Sequence, residues 1–394
     1  MTNKNNEKIL KILIVIGIIA ILVSVCMQYL KPLVAELLVQ KKDQIRIRDI
    51  SLINSAINKL QKINPYFFLG EPNKVYISIP SSQLNCESLE LPSLPDAWEY
   101  RCKPETKYKK IDGNGWIPVD FTKLSDNSSF KLLPIDPVNS ANGLSYYTYI
   151  TGEGWALTSL LGSNKFIKQS AFNDEGTNPA RFEIGSNLQL WAKASGLAAY
   201  WKFDEGEGIT ATDSSGNNNT GILTNGPNWV DGKLGKALDF DGVDDYISIN
   251  DSLSLSLTTA VSISMWIYID TLADKVLATK GLQDYEMRIS SNKLEMWVNA
   301  DGNNRNIAGG ITLQMGQWYH LTDTYDGATI KSYVNGILDR QITYVASIND
   351  TGTNLWIGSY GGGGNFFDGK VDEVRIYNGA LSAKEIRTIY NATK

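Results

Sequence analysis

The sequence predicts three parts in a row. Residues 1–62 read as a transmembrane and stalk helix, 63–194 as a small α+β domain, and 195–394 as an all-β two-sheet sandwich. Three observations carry this reading. The run Ile9–Leu30 holds 22 residues with one charge, Lys11, which is long enough to cross a bilayer as a helix. Ile50, Ile53, Ile57 and Leu60 recur at helical spacing and form one stripe. From Ala198 onward, short alternating runs such as "VSISMWIYI", "KLEMWV" and "VDEVRIY" recur between Gly, Asn and Asp clusters. That spacing is the pattern of an antiparallel sandwich.

Bulk numbers narrow the function classes. The chain has 394 residues, more than one typical domain holds. A net charge of -5 gives no electrostatic footprint for nucleic acid. Three Cys and one His argue against a zinc site and a disulfide-stapled scaffold, and leave few catalytic bases. Cys86 and Cys102 either form one disulfide, in an exported segment, or stay as thiols. Cys26 sits inside the apolar run as filler.

In the first part, no small-x-small cleavage site follows the apolar run. Val25, before Cys26, is not the small residue a lipoprotein signal needs. The run therefore reads as an uncleaved anchor. Its helix continues past Pro32, which kinks it, into "AELLVQKKDQIRIRDISLINSAINKLQKI". Lysines 4, 8 and 11 precede or enter the span and basic residues at 31, 41, 42, 46 and 48 follow it, so charge alone does not orient it. This layout resembles the type IV pilins and pseudopilins, over roughly residues 1–194. "LLPIDPVNSANGLSYYTYITGEGWALTSLL" (Leu132–Leu161) is similar to their sheet. The processing site departs from the family: Asn6, Glu7 and Lys11 stand where it has glycine, phenylalanine and an assembly glutamate. The resemblance implies a single-pass cell-membrane protein with its N-terminus inside and its later domains extracellular. It also implies pilus or secretion-system subunits as partners.

The second part carries Pro-rich turns and strand-like runs ("KVYISI", "SYYTYI") but no acid–base pair. "IDGNGWIPVD" (Ile111–Asp120) has closely spaced oxygens and reads as a turn rather than a metal loop. A boundary falls near Lys193–Gly196.

The third part opens after that boundary. "VNG" (Val334–Gly336) marks a hairpin turn needing positive φ. Ser382 and Glu385 form a capping box that starts a short helix ending near Tyr390. Four segments, Ala198–Leu223, Gly232–Ile249, Gln317–Gly336 and Phe367–Ile386, are similar in sequence and order to the laminin G-like, concanavalin A-like lectin superfamily. The resemblance implies a two-sheet jelly roll, a bound Ca²⁺ and an extracellular glycan or other surface ligand.

Asp372 poses a problem within "DGKVDEVRIY". Strand alternation puts it on one face with Val374 and Ile376, with Glu373, Arg375 and Tyr377 on the other. A carboxylate facing a core is costly unless something pairs with it. In such a sandwich the first and last strands lie antiparallel side by side, which brings Asp204 close to Asp372. The loop "DSSGNNN" from Asp213 adds oxygens. Asp372, Asp213 and Asp204 are the implied Ca²⁺ ligands, since gathered carboxylates repel without a cation; Asp241 is a weaker one. A buried aspartate bonded to backbone N–H groups is the alternative.

Among the remaining residues, His320 reads as structural. Trp201, Trp266, Trp297, Trp318 and Trp356 read as core. Trp229 and Tyr360 read as loop aromatics able to stack on a sugar. "SYGGGGNFFDG" (Ser359–Gly369) lacks the features of a phosphate loop. "LEMWVN" offers only Glu295, so no glycosidase dyad is apparent and the chain reads as no enzyme. The functional expectation is a membrane-anchored surface protein that displays a lectin-like domain for carbohydrate binding and adhesion. A structural pilin-like component, with the sandwich as spacer, is the alternative.

Overall fold

The computed structural model describes residues 2–124, 131–281, 284–300 and 302–394, with residues 2–27, 29 and 300 as backbone alone. Helix α1 (Thr2–Ile63) runs without interruption through Pro32. Among the described residues, no helix is long and apolar enough to cross a membrane. From Leu30 onward α1 mixes Lys31, Glu36, Lys41 and Lys42 among its leucines. Most side chains of Ile9–Leu30 lie outside the described residues. The expected anchor, and with it a single-pass cell-membrane protein with its N-terminus inside, is not supported and is withdrawn.

The second half of α1 packs as its stripe requires. Ile50, Ile53, Ile57 and Leu60 are buried against one face of a five-stranded sheet. Its strands are β1 (Lys74–Ile77), β2 (Glu99–Arg101), β3 (Tyr147–Gly152), β4 (Gly154–Leu160) and β5 (Arg181–Gly185), in the order β2-β1-β3-β4-β5. Strand alternation splits the sheet's side chains. Tyr147, Tyr149, Trp155 and Leu157 meet α1, while Val75, Ile77, Ile150 and Ala156 meet a second cluster. That second cluster holds Cys86 and Cys102, which form a disulfide with Cα atoms 5.5 Å apart. A buried ion network fixes α1 further. Arg46 donates to Asp136 at 2.7 and 3.1 Å and to Asp43 at 2.9 Å, and Asp43 accepts from the backbone N–H groups of Gly162 and Ser163. The segment Ile111–Asp120 closes as a turn, with Asp112 bridged to Asp120. Two short helices, α2 (Asn164–Gln169) and α3 (Gln189–Ala194), complete this part.

The sandwich begins at Leu197, one residue past the expected boundary. Its strands are β6 (Leu197–Trp201), β7 (Thr210–Ala211), β8 (Gly221–Thr224), β9 (Asn228–Asp231), β10 (Lys236–Asp241), β11 (Tyr246–Ile249), β12 (Val261–Ile269) and β13 (Lys275–Lys280). They continue as β14 (Tyr285–Ser290), β15 (Lys293–Ala300), β16 (Asn303–Ala308), β17 (Trp318–Tyr325), β18 (Thr329–Val334), β19 (Ile337–Thr343), β20 (Leu355–Ile357) and β21 (Asp368–Tyr377). The back sheet runs β19-β18-β17-β12-β21-β10-β9, with β6 also paired to β21; the front sheet runs β16-β15-β14-β13-β20-β11-β8-β7. One apolar core lies between them. Asn335 and Gly336 both take positive φ, 51° and 72°, and turn β18 into β19 as the "VNG" signal requires. The capping box of Ser382 and Glu385 starts α4 (Ala383–Thr393), which runs past Tyr390.

The expected parity of Asp372 fails, for a local reason. First and last strands do lie antiparallel side by side. Asp372, however, stands opposite Trp266 while Arg375 stands opposite Ser264, so Glu373 and Val374 together face one residue of β12. This is a β-bulge, and Glu373 takes a φ of 57° in it. Val371 and Val374 both enter the core across the bulge. Asp372 therefore points away from the core, to the outer face of the back sheet. That face is itself covered: Trp266 donates to Thr393 of α4 at 2.9 Å and stacks on Tyr390. His320 lies buried against Trp266 and Tyr390 and bonds Ser264, the structural role its sequence context suggested.

Candidate functional site

With the middle of the back sheet covered by α4, the second outward-facing row of side chains lies on the front sheet. One row of cross-strand partners crosses it: Asn306, Trp297, Glu286, Thr279, Trp356, Ser248, Ile222 and Thr210. The alternation of β15 explains its half of the row. Leu294, Met296 and Val298 enter the core, so Glu295, Trp297 and Asn299 face out. In β14, Tyr285, Met287 and Ile289 enter the core and send Glu286 and Arg288 out.

These outward residues form a compact polar cluster. Arg288 lies between two carboxylates: Nη1 is 3.3 Å from Glu286 Oε1, and Nε is 3.8 Å from Glu295 Oε2. Asn306 donates to Glu295 Oε1 at 2.5 Å. The guanidinium sits 5.9 Å from the Trp297 ring centre. Tyr360 joins the group: burial raises its hydroxyl pKa, with smaller effects from Glu286 and Arg288. Glu286 has no exposed surface. Burial, aided by nearby Glu295, pushes its pKa up to about 7 against the pull of Arg288. Three buried atoms in the cluster, Glu286 Oε2, Arg288 Nε and Trp297 Nε1, have no hydrogen-bond partner, and neither has Thr279 Oγ1 opposite Glu286, whose hydroxyl is close enough to lower the Glu286 pKa. Buried polar groups are nearly always satisfied, so three such gaps together need an explanation.

The residues singled out from the sequence fall in different places. Tyr360 lies close enough to Glu286 and Arg288 for their charges to act on its hydroxyl. Trp229 does not: it lies in edge strand β9 rather than a loop, donates to the Gly208 carbonyl and packs on the core. Of the tryptophans expected in the core, Trp201 belongs to it, whereas Trp297 and Trp356 are only partly buried, on the front face. Glu286, Arg288 and Asn306 were not foreseen. The alternation within "YEMRIS" and "KLEMWV" would have found the first two.

Of the expected Ca²⁺ ligands, Asp372 and Asp204 come together at one turn, as the strand pairing implied, while Asp213 and Asp241 lie elsewhere. Asp213 spends both oxygens on its own loop, accepting from the N–H groups of Tyr200, Ser215 and Asn219 and from the Ser215 hydroxyl. Asp372 and Asp204 flank the turn between β9 and β10, where they accept from the N–H groups of Leu234 and Lys236, each at 2.9 Å. Burial, with Glu373 and Asp204 nearby, raises the Asp372 pKa. Its Oδ1 has no hydrogen-bond partner among the described residues. Asp241 is different. With Asp244 and Asp245 it places three carboxylate oxygens within 4.8 Å of one another, in the turn after β10.

Comparison with known proteins agrees with this fold. A family model described as the concanavalin A-like lectin/glucanases superfamily matches residues 241–387. The C-terminal part of the chain folds as a two-sheet jelly roll, within which residues 241–387 are similar to that superfamily. No match was found among curated proteins. Among solved structures, the chain is similar to the binding domain of Paraclostridial Mosquitocidal Protein 1, with 18% identity, 50% of this chain and 52% of that one covered, and a TM-score of 0.44. It is similar to domain 4 of AbnA, a GH43 extracellular arabinanase from Geobacillus stearothermophilus solved with arabinotriose, with 23% identity, coverage of 49% and 98%, and a TM-score of 0.42. It is also similar to the botulinum neurotoxin serotype G binding domain, with 15% identity, coverage of 49% and 50%, and a TM-score of 0.42. This chain spans about half the length of the two toxin domains.

Proposed function

We propose that the jelly roll captures a glycan on the outer face of its front sheet, at Glu286, Arg288, Glu295, Trp297, Asn306 and Tyr360. The observation that carries this reading is the set of three unpartnered buried atoms beside half-buried aromatic rings. A sugar hydroxyl both donates and accepts, so one ring edge can fill Glu286 Oε2 and the two N–H groups. Aromatic side chains with a few placed polar groups are the usual lining of a small-ligand site. A turn of Trp297 or Tyr360 about its side-chain bonds opens the way in. The fold by itself does not fix a ligand, so the reading rests on this cluster. On this reading it is a binder rather than an enzyme, since Arg288 occupies the space between Glu286 and Glu295 where a glycosidic bond would have to lie. The Cys86–Cys102 disulfide accords with an oxidising setting. The test is a glycan array probed with the full chain and with Trp297→Ala. Binding to defined glycans, lost in the variant, supports the reading; a parent protein that binds none overturns it.

A Ca²⁺ ion belongs, on this reading, to Asp241, Asp244 and Asp245, which supply hard oxygen donors of the kind that ion prefers. Chelation followed by Ca²⁺ readdition is then expected to lower and restore the melting temperature, and Asp241→Asn to abolish the response. An unchanged melting curve removes the ion from the account.

A second reading, a structural component of a pilus-like assembly, is favoured by α1. It leaves Leu30, Leu33, Val34, Leu37 and Leu38 exposed along a helix whose packed part begins only at Asp43. Cross-linking at these positions to other helical subunits separates this reading from capture alone.

A further inference from the structure

The two folded parts of the chain meet around a cavity of about 60 Å³. Arg181, Trp191 and Tyr100 of the first part and Tyr377, Glu385 and Ile389 of the sandwich part all line it. By the room a buried water needs, such a space holds on the order of five waters, or a molecule of similar size.

Arg181 is the unusual member. It is 3% exposed, and its guanidinium stacks 4.2 Å from the centre of the Trp191 ring. Its one hydrogen bond among the described residues runs from Nη1 to the Thr158 hydroxyl at 2.9 Å. Among those residues it has no ion-pair partner. The nearest buried acid, Glu183, is pushed up to about 8 by burial and by Asp174, and so holds its proton at neutral pH. A buried guanidinium with most of its five donors unspent is costly unless something fills them. Glu385 lines the same cavity. One of its oxygens accepts from Ser382 in the capping box, and its charge is felt at Arg181. The two groups make no ion pair with each other.

We propose that this cavity between Arg181 and Glu385 is a binding site for a small α-amino acid, taken as the zwitterion. The carboxylate meets Arg181 as a charge-assisted, two-pronged hydrogen bond. The ammonium meets the free side of Glu385. A simple anion would meet repulsion from Glu385, and a simple cation repulsion from Arg181; a molecule with both charges satisfies both walls. The volume restricts the side chain to that of glycine, alanine or serine. Because one wall belongs to each part, the bound molecule ties them together. This site is independent of the glycan face.

The test is a melting curve of the full chain with glycine, alanine or serine, and with acetate or methylamine at equal concentration. The amino acids are expected to raise the melting temperature in a concentration-dependent way, and acetate and methylamine to leave it in place. Glu385→Gln keeps an acceptor for the helix cap while removing the charge, and is expected to weaken the response at least tenfold. Trp297→Ala is expected to leave it intact. A cavity filled by water alone, with no amino acid shifting the curve, overturns the proposal. So does an equal response to acetate, or one that survives Glu385→Gln.

Discussion

Asp323 sits in the core between the two sheets with no exposed surface, one bond to Ser332 and an oxygen without a partner. Burial pushes its pKa up to about 8. Between the ordinary carboxylate range and pH 8 the folded chain thus holds a proton that the unfolded chain has lost. Stability from this group is therefore greatest in acid and falls as pH rises through that window. Asp323→Asn, which cannot ionise, is expected to lose less stability between pH 6 and pH 9 than the parent, as read by urea midpoints. Equal losses in both proteins would show that Asp323 does not titrate there. Glu286, at about 7, has the same sign on the front face. Neither value was legible in the sequence, since each depends on what covers the residue. Parity was legible and unevenly reliable. Applied to β15 it would have separated Trp297 and Glu295 from the core, although the sequence reading had put Trp297 inside. Applied to β21 it fails at Asp372, because the bulge at Glu373 inserts one residue into the count. Nothing in "VDEV" announces a bulge.

At the scale of elements, two local devices hold α1 and α4 where the rest needs them. Asp43 accepts four hydrogen bonds from Gly162 and Ser163 and pairs with Arg46, with Asp43, Arg46 and Ser163 buried. Asp43→Ala leaves Arg46 and three donors short. It is expected to cost about 3–5 kcal/mol, the usual penalty for breaking a buried pair, seen as a fall in the urea midpoint. A loss below 1 kcal/mol would mean the network relaxes without it. The disulfide spans a sequence separation of 16 residues. Reducing it is expected to cost about 3 kcal/mol by chain entropy, and Cys102→Ser to match the reduced parent. The helix stripe, the "VNG" turn and the Ser382–Glu385 box were all readable, because each is a short-range pattern. The Arg46–Asp136 pair was not, since 90 residues separate its members.

For the whole molecule, the covering of one sheet decides where function sits. Helix α4 and the first folded part bury the middle of the outer face of the back sheet, with Tyr200, Tyr377, Ile389 and Ala192 in one cluster. The front sheet keeps its outer face, and with it the Glu286–Arg288–Glu295 cluster. The sandwich itself was legible from its strand spacing and motifs, while its site was assigned to the strand ends instead of the sheet face. Pairing across strands brings Glu286, Arg288 and Glu295 together, and pairing is what a single strand's sequence leaves out. The most direct test of this account is the affinity of the full chain for its best array glycan, measured beside Trp297→Ala and Trp229→Ala. Trp297→Ala is expected to weaken binding at least tenfold, about 1.4 kcal/mol, while Trp229→Ala leaves it within twofold. Equal affinity of the parent and Trp297→Ala would place the ligand elsewhere and contradict the account.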